Sequence, residues 1–148
     1  MGEALAFYGG AVAIAAASAV VPVINAELVL AGLVLVVGDV PRAVILGVLV
    51  AFGQMLGKSV VYAGMRGTAK LGASASVGKL ARARALVAKW RTRPRLLMFV
   101  SATASIPPYL LVAALAGRAK IRFRTFFAIG LLGRTLRFVT IALIAVAV

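Results

Sequence analysis

Residues Ala4 to Gly38 read ALAFYGGAVAIAAASAVVPVINAELVLAGLVLVVG, 35 residues with a single charge, Glu27. A helix crosses the roughly 30 Å hydrocarbon core of a bilayer in about 20 residues. The stretch is therefore too long for one crossing and too short for two crossings joined by a loop. Its middle carries Pro22, Asn25 and Glu27, residues poorly suited to a lipid-facing helix. The reading that fits is a re-entrant helical hairpin over residues 4–38, broken at Pro22 to Glu27, with both arms on one side of the membrane. Irregular backbone at that depth is tolerated only where protein or a wet cavity surrounds it.

The rest of the chain extends this pattern. Of 148 residues, 64% are hydrophobic, and three acids (Glu3, Glu27, Asp39) face seventeen Lys and Arg, for a net charge of +14. The size suits one domain, here a single membrane domain over residues 1–148. After a polar turn at Asp39-Val40-Pro41-Arg42, residues 43–65 form a transmembrane helix with Lys58 near its far end. Residues 96–117 are again uncharged, and residues 125–148 form a last transmembrane helix carrying Arg134 and Arg137. The apolar residues run in blocks rather than in the broken periodicity of a soluble core.

The positive charge does not mark a nucleic-acid binder, because of where it sits. Nine of the seventeen cations lie between Arg66 and Arg95 and four between Arg118 and Arg124, both flanking apolar blocks. Lys and Arg beside membrane segments mark the cytoplasmic side and attract anionic headgroups. Were residues 96–117 a crossing, the two basic stretches would fall on opposite sides, against that tendency. The conflict disappears if residues 96–117 form a second re-entrant hairpin, turning at Ile106-Pro107-Pro108, with loops 66–95 and 118–124 both cytoplasmic at the plasma membrane. Within the first loop, Ser76 is placed to cap a helix running to about Thr92, before Pro94. Leu80, Ala83, Val87 and Trp90 would share one face of it and lie on the membrane surface.

Two features recur in order. Pro22 is followed after eight residues by Ala31-Gly32, and Pro107 after eight by Ala116-Gly117. Gly57-Lys58 precedes Tyr62 as Gly133-Arg134 precedes Phe138. Each half would be a hairpin plus a span, and the odd number of crossings between them turns the second half over. The expected fold is thus an all-α integral membrane protein with two opposed re-entrant hairpins in an inverted repeat, a plan in which broken helices meet near the midplane. A chance recurrence of Pro and small residues in so biased a sequence is the alternative.

These same residues resemble the DedA family, whose domain is also called VTT or SNARE-associated. Pro22-Val23-Ile24-Asn25-Ala26-Glu27 followed by Ala31-Gly32 is similar to that family's proline-and-acid re-entrant motif. Ile106-Pro107-Pro108, Ala116-Gly117, Phe126-Phe127 and Gly133 are similar to its second shared region. The resemblance covers most of the chain outside Arg66 to Arg95. It implies two facing hairpins and the movement of phospholipids or polyprenyl phosphates between leaflets, in some members with proton coupling. The chain departs from the pattern at Ala15, where many bacterial members carry another acid, and at Ala104 and Leu110, where they carry arginines. The usual proton-coupling charges therefore do not carry over. Arg134 and Arg137 are positioned to replace the missing positive charge.

Glu27 is the first candidate for chemistry, because an ionisable group inside a bilayer costs about 2.5 to 3.5 kcal/mol at a helix centre and is a functional-site hypothesis by default. The alternative is a structural acid pinning the hairpin turn through an arginine. Arg134 and Arg137 sit three apart and share a helix face, roughly 14 to 18 Å past Thr125 along the axis. Their guanidiniums suit a phosphate; the bland alternative is a pair reaching for the cytoplasmic interface. Lys58, eight residues before Arg66, is expected to do that. Asn25 either presents its amide to a headgroup or satisfies backbone at the break. Gly32, Gly53, Gly57, Gly117 and Gly133 are the expected places of close helix contact, within the monomer or between copies. Phe7, Tyr8 and Trp90 read as interfacial anchors.

The expected function is translocation or scrambling of anionic lipids, with membrane lipids and their headgroups as partners. So small a chain has few helices to shield two hairpins, which makes a homo-oligomer an expectation. The alternatives are a proton-coupled small-molecule exporter using Glu27, and a non-transporting membrane-shaping or assembly protein whose basic surface helix recruits partners. With no Cys and no His, disulfides and the usual zinc sites are excluded, and no metal or cofactor is expected. Neither is an enzyme, although a Ser–Lys pair is not strictly excluded. Met1-Gly2-Glu3 is acidic and lacks a signal-peptide pattern, so the first apolar block is expected to remain.

Overall fold

The computed structural model describes residues 1–21, 24–67, 93–106 and 108–148. Among these residues there are six α-helices and no strand: α1 (Gly2–Val20), α2 (Ala26–Val37), α3 (Val40–Gly67), α4 (Pro94–Ala104), α5 (Tyr109–Arg118) and α6 (Phe123–Ala147). Three of them, α1, α3 and α6, are long and apolar enough to cross a membrane, and α2 and α5 are shorter apolar helices. The chain is an all-helical, multi-pass membrane protein. The helix expected over Ser76–Thr92, with Trp90, and the break residues Pro22 and Pro107 lie outside the described residues.

The first apolar run divides unequally. Helix α1 begins before the run, with Glu3 in its first turn where a carboxylate complements the positive helix end. Its 19 residues reach crossing length by themselves, whereas α2 has only 12. Between them Asn25 caps α2, its side-chain oxygen accepting the Glu27 N–H at 2.9 Å, so local chemistry starts the second helix. The polar turn expected at Asp39–Arg42 is shorter than expected. Gly38 ends α2 in the left-handed region, φ 66°. Asp39 then starts α3, its carboxylate accepting the Arg42 N–H at 2.9 Å and lying 3.3 Å from the Arg42 guanidinium. Pro41 falls inside the first turn, where no N–H is needed.

The second apolar run behaves similarly. Helix α4 opens on Pro94 and closes at Ser105, whose φ of 59° is left-handed and whose N–H donates to Ser101 at 2.8 Å. Pro108 caps α5. The end of α5 is sealed by Ile121 N–H donating to Ala116 at 3.0 Å, with Lys120 left-handed at φ 57°.

The residues form two compact units, Met1–Lys58 with Arg134–Val148, and Ser59–Gly133. In the first, α1 and α2 contact each other, and Ala11, Ala15 and Ala19 form a buried stripe on α1. This stripe admits α3 closely. A Cβ on Gly53 would stand 2.5 Å from the Val12 carbonyl oxygen, and one on Gly57 would collide with the Ala16 carbonyl. Gly47 likewise meets the backbone of Phe138 and Val139. Leu30, Val34, Leu46 and Val50 complete the interior, while Leu28, Leu35 and Val36 stand some 70–76% exposed. Apolar residues outside and small ones between helices is the pattern of a bundle packed in lipid.

In the second unit α4 contacts α5, and the interior is aromatic. Tyr62, Phe126 and Tyr109 stack in series with ring centroids 4.7 and 5.9 Å apart, all buried. Gly117 meets the Tyr62 backbone, and Gly133 meets Phe99, Ala102 and Thr103. Four of the five expected close-packing glycines are therefore in tight contact. Gly32 differs: it is exposed, and among the described residues nothing lies within 4 Å of where its Cβ would stand. It lies on the side of α2 away from the buried Leu30 and Val34.

Candidate functional site

The polar side chains of the first unit converge on the end of α1, the start of α2 and the middle of α6. Glu27 opens α2 because Asn25 caps the helix beside it, so the carboxylate sits at the positive end of that helix. Arg137 reaches it from α6. Its Nε donates to Glu27 Oε1 at 2.8 Å, and Nη2 donates to the same oxygen. Arg134 and Arg137 stand about 17 and 21 Å from the start of α6 at 1.5 Å per residue. That is near the middle of a helix of 25 residues. The Glu27 and Arg137 side chains keep 40% and 22% of their surface, so an incoming group can reach both partners.

A second set is more deeply buried. Ser18, Gln54, Lys58 and Arg134 are only 8, 5, 7 and 7% exposed. The Ser18 hydroxyl donates to the Ala15 carbonyl at 2.7 Å and accepts from Gln54 Nε2 at 2.6 Å. One turn further along α3, Lys58 Nζ donates to the Ala19 carbonyl at 2.6 Å. Helix α1 ends at Val20, so Lys58 serves a carbonyl in the last turn, at the negative end of that helix. The expectation that Lys58 reaches for the membrane interface is thereby corrected. The Ala19 carbonyl in the last turn of α1 takes the buried ammonium instead, a charge-assisted hydrogen bond.

The two arginines separate in role. Arg137 holds Glu27. Arg134 lies over the Phe138 ring, 5.9 Å from its centroid, within cation–π range. The first unit thus buries two cations, with an accessible ion pair on the same α6 segment. Two buried positive charges favour an anion entering their vicinity, and Arg137 can exchange its carboxylate partner for another oxyanion.

Of the residues expected to form a site, the structure brings Glu27 and Arg137 together and gives Asn25 a capping role. Pro108 caps α5 in the second unit. Sequence reasoning missed Ser18 and Gln54. The signal was there: a hydroxyl and an amide inside apolar runs need partners, and interhelical hydrogen bonds are how membrane helices supply them. No family model, curated protein or solved structure matches this chain.

Proposed function

We propose that this chain is a DedA-like (VTT-domain) membrane protein that translocates or scrambles anionic lipids, phospholipids or polyprenyl phosphates, between leaflets. The observation that carries the reading is the Glu27–Arg137 pair, joining the start of α2 to the middle of α6, in a unit that also buries Lys58 and Arg134. Ionisable groups at such depth are costly and mark pathways, and broken helices near the midplane are where transporters of inverted-repeat design hold their sites. In this reading the two helix–break–helix pairs are opposed re-entrant hairpins. An anionic headgroup exchanges onto Arg137 while its acyl chains stay in lipid. Basic loops 66–95 and 118–124 then face the cytoplasm. Support comes from a local contact: Arg66, near the end of α3, is hydrogen-bonded to Ile121 of the 118–124 connection. The proton-coupled exporter has less to stand on, since Arg137 already holds the acid it would use.

The test is reconstitution into liposomes carrying fluorescent lipids with several headgroups. Faster leaflet exchange of anionic lipids than in protein-free vesicles is expected. No acceleration for any headgroup, polyprenyl phosphate included, would remove the proposal.

A further inference from the structure

The second unit contains a groove with a chemistry of its own. Tyr62, Ala63, Arg66, Arg122, Phe123 and Arg124 line an open depression of about 820 Å³ where α3 ends and α6 begins. Its three arginines are exposed, but Arg66 is held in place. Arg66 Nη1 donates to the Tyr62 hydroxyl at 2.6 Å and to the Ile121 carbonyl at 3.3 Å, and the guanidinium lies 5.9 Å from the Tyr62 ring centroid. Tyr62 is itself fixed by donating to the Ile121 carbonyl and by stacking on Phe126. The guanidinium is thus held in one orientation before any ligand arrives. No acid occurs anywhere from Ser59 to Gly133, so the unit supplies no carboxylate to neutralise these charges. The exposed Phe123 ring forms an apolar wall.

We propose that this groove binds a phosphate-bearing anion, its phosphate clamped by Arg66, Arg122 and Arg124 and any adjoining apolar portion resting on Phe123. Guanidinium forks match phosphate oxygens in a way that ammonium groups do not. The groove uses neither Glu27 nor Arg137 and does not depend on lipid translocation.

Binding to the full chain in a neutral detergent tests it, with dihexanoyl phosphatidic acid, dihexanoyl phosphatidylcholine and inorganic phosphate as probes. The variants are Arg122→Gln with Arg124→Gln, Arg122→Lys with Arg124→Lys, and Lys120→Gln, a neighbour that does not line the groove. Helix content by circular dichroism confirms that each variant is folded. Phosphatidic acid is expected to bind at least tenfold more weakly to the double Gln variant, several-fold more weakly to the double Lys variant, and within twofold of wild type to Lys120→Gln. Phosphatidylcholine should bind weakly throughout. If inorganic phosphate competes at comparable concentration, a free phosphate is the ligand; if only the lipid binds, the source is a headgroup, and either result supports the site. Equal losses in Lys120→Gln and in the double Gln variant would reduce the groove to general surface charge and overturn the proposal. So would binding that no variant changes.

Discussion

The two units handle charge in opposite ways. The unit built on α1 and α2 contains four of the seventeen Lys and Arg together with all three acids, while the unit built on α4 and α5 contains the other thirteen and no acid. In the first, Glu27 meets Arg137, Asp39 meets Arg42 and Lys58 takes a helix-end carbonyl. Two of its acids pair with arginines of the same unit, and buried Lys58 takes its partner from the backbone, since a charge taken from water needs a partner in the protein. In the second, the described interior is aromatic, and Arg66, Arg122 and Arg124 stand at its surface. A charge at depth has to be matched by the protein, whereas a charge at the membrane boundary can be matched by lipid headgroups.

The largest expected effects come from packing, where the units can be compared glycine by glycine. Gly57→Leu and Gly117→Leu should each destabilise by about 3 kcal/mol or more, because the added atoms meet backbone that cannot yield. Gly32→Leu should change stability by less than about 0.5 kcal/mol. Thermal unfolding in detergent reads all three. Equal losses at Gly32 and Gly57 would break the distinction between the open face of α2 and the closed contact with α3.

Next comes the ion pair. Glu27→Gln and Arg137→Gln should each cost about 2 kcal/mol, since either leaves a part-buried charge without its partner. The double variant should cost less than their sum, with a coupling of about 1 to 2 kcal/mol. Arg122→Gln, at the surface of the other unit, should stay within about 0.5 kcal/mol. Strict additivity of the Glu27 and Arg137 changes would mean that the pair contributes nothing as a pair.

A smaller loss than at the ion pair is expected for Tyr62→Phe. It removes the hydroxyl that joins Arg66 to Ile121 while keeping the stack on Phe126, and should cost about 1 kcal/mol. Denaturant titration followed by near-ultraviolet circular dichroism would sharpen the comparison by separating the aromatic interior from its polar edge. A loss as large as that at Gly117 would show that the hydroxyl, not the stack, organises the unit.

Much of the helical layout was legible because apolar block length and charge position are local properties. Three helices have the length and apolarity to cross a membrane, and Asn25 and Glu27 lie where α2 begins. The site was legible only in part. That Glu27, alone in a long apolar run, would seek a guanidinium is readable from the sequence, but the choice of Arg137 over Arg134 depends on the rotation of α6 against α2, which no local pattern specifies. Lys58 reads as reaching for the surface because a long side chain near a helix end usually does so. Its burial depends on α1 ending beside it, a tertiary fact. Gly32 reads like Gly117 in sequence context, yet one faces outwards and the other meets Tyr62. Ser18 and Gln54, 36 residues apart, find each other only once α1 and α3 are in register.

The most direct measurement compares leaflet exchange of an anionic fluorescent lipid in proteoliposomes holding equal amounts of wild type, Arg137→Gln and Gly32→Ala, each checked for helix content. The expected result is acceleration by wild type and by Gly32→Ala, and at least a tenfold slower exchange with Arg137→Gln. Exchange as fast with Arg137→Gln as with wild type would contradict a headgroup passing by way of the ion pair.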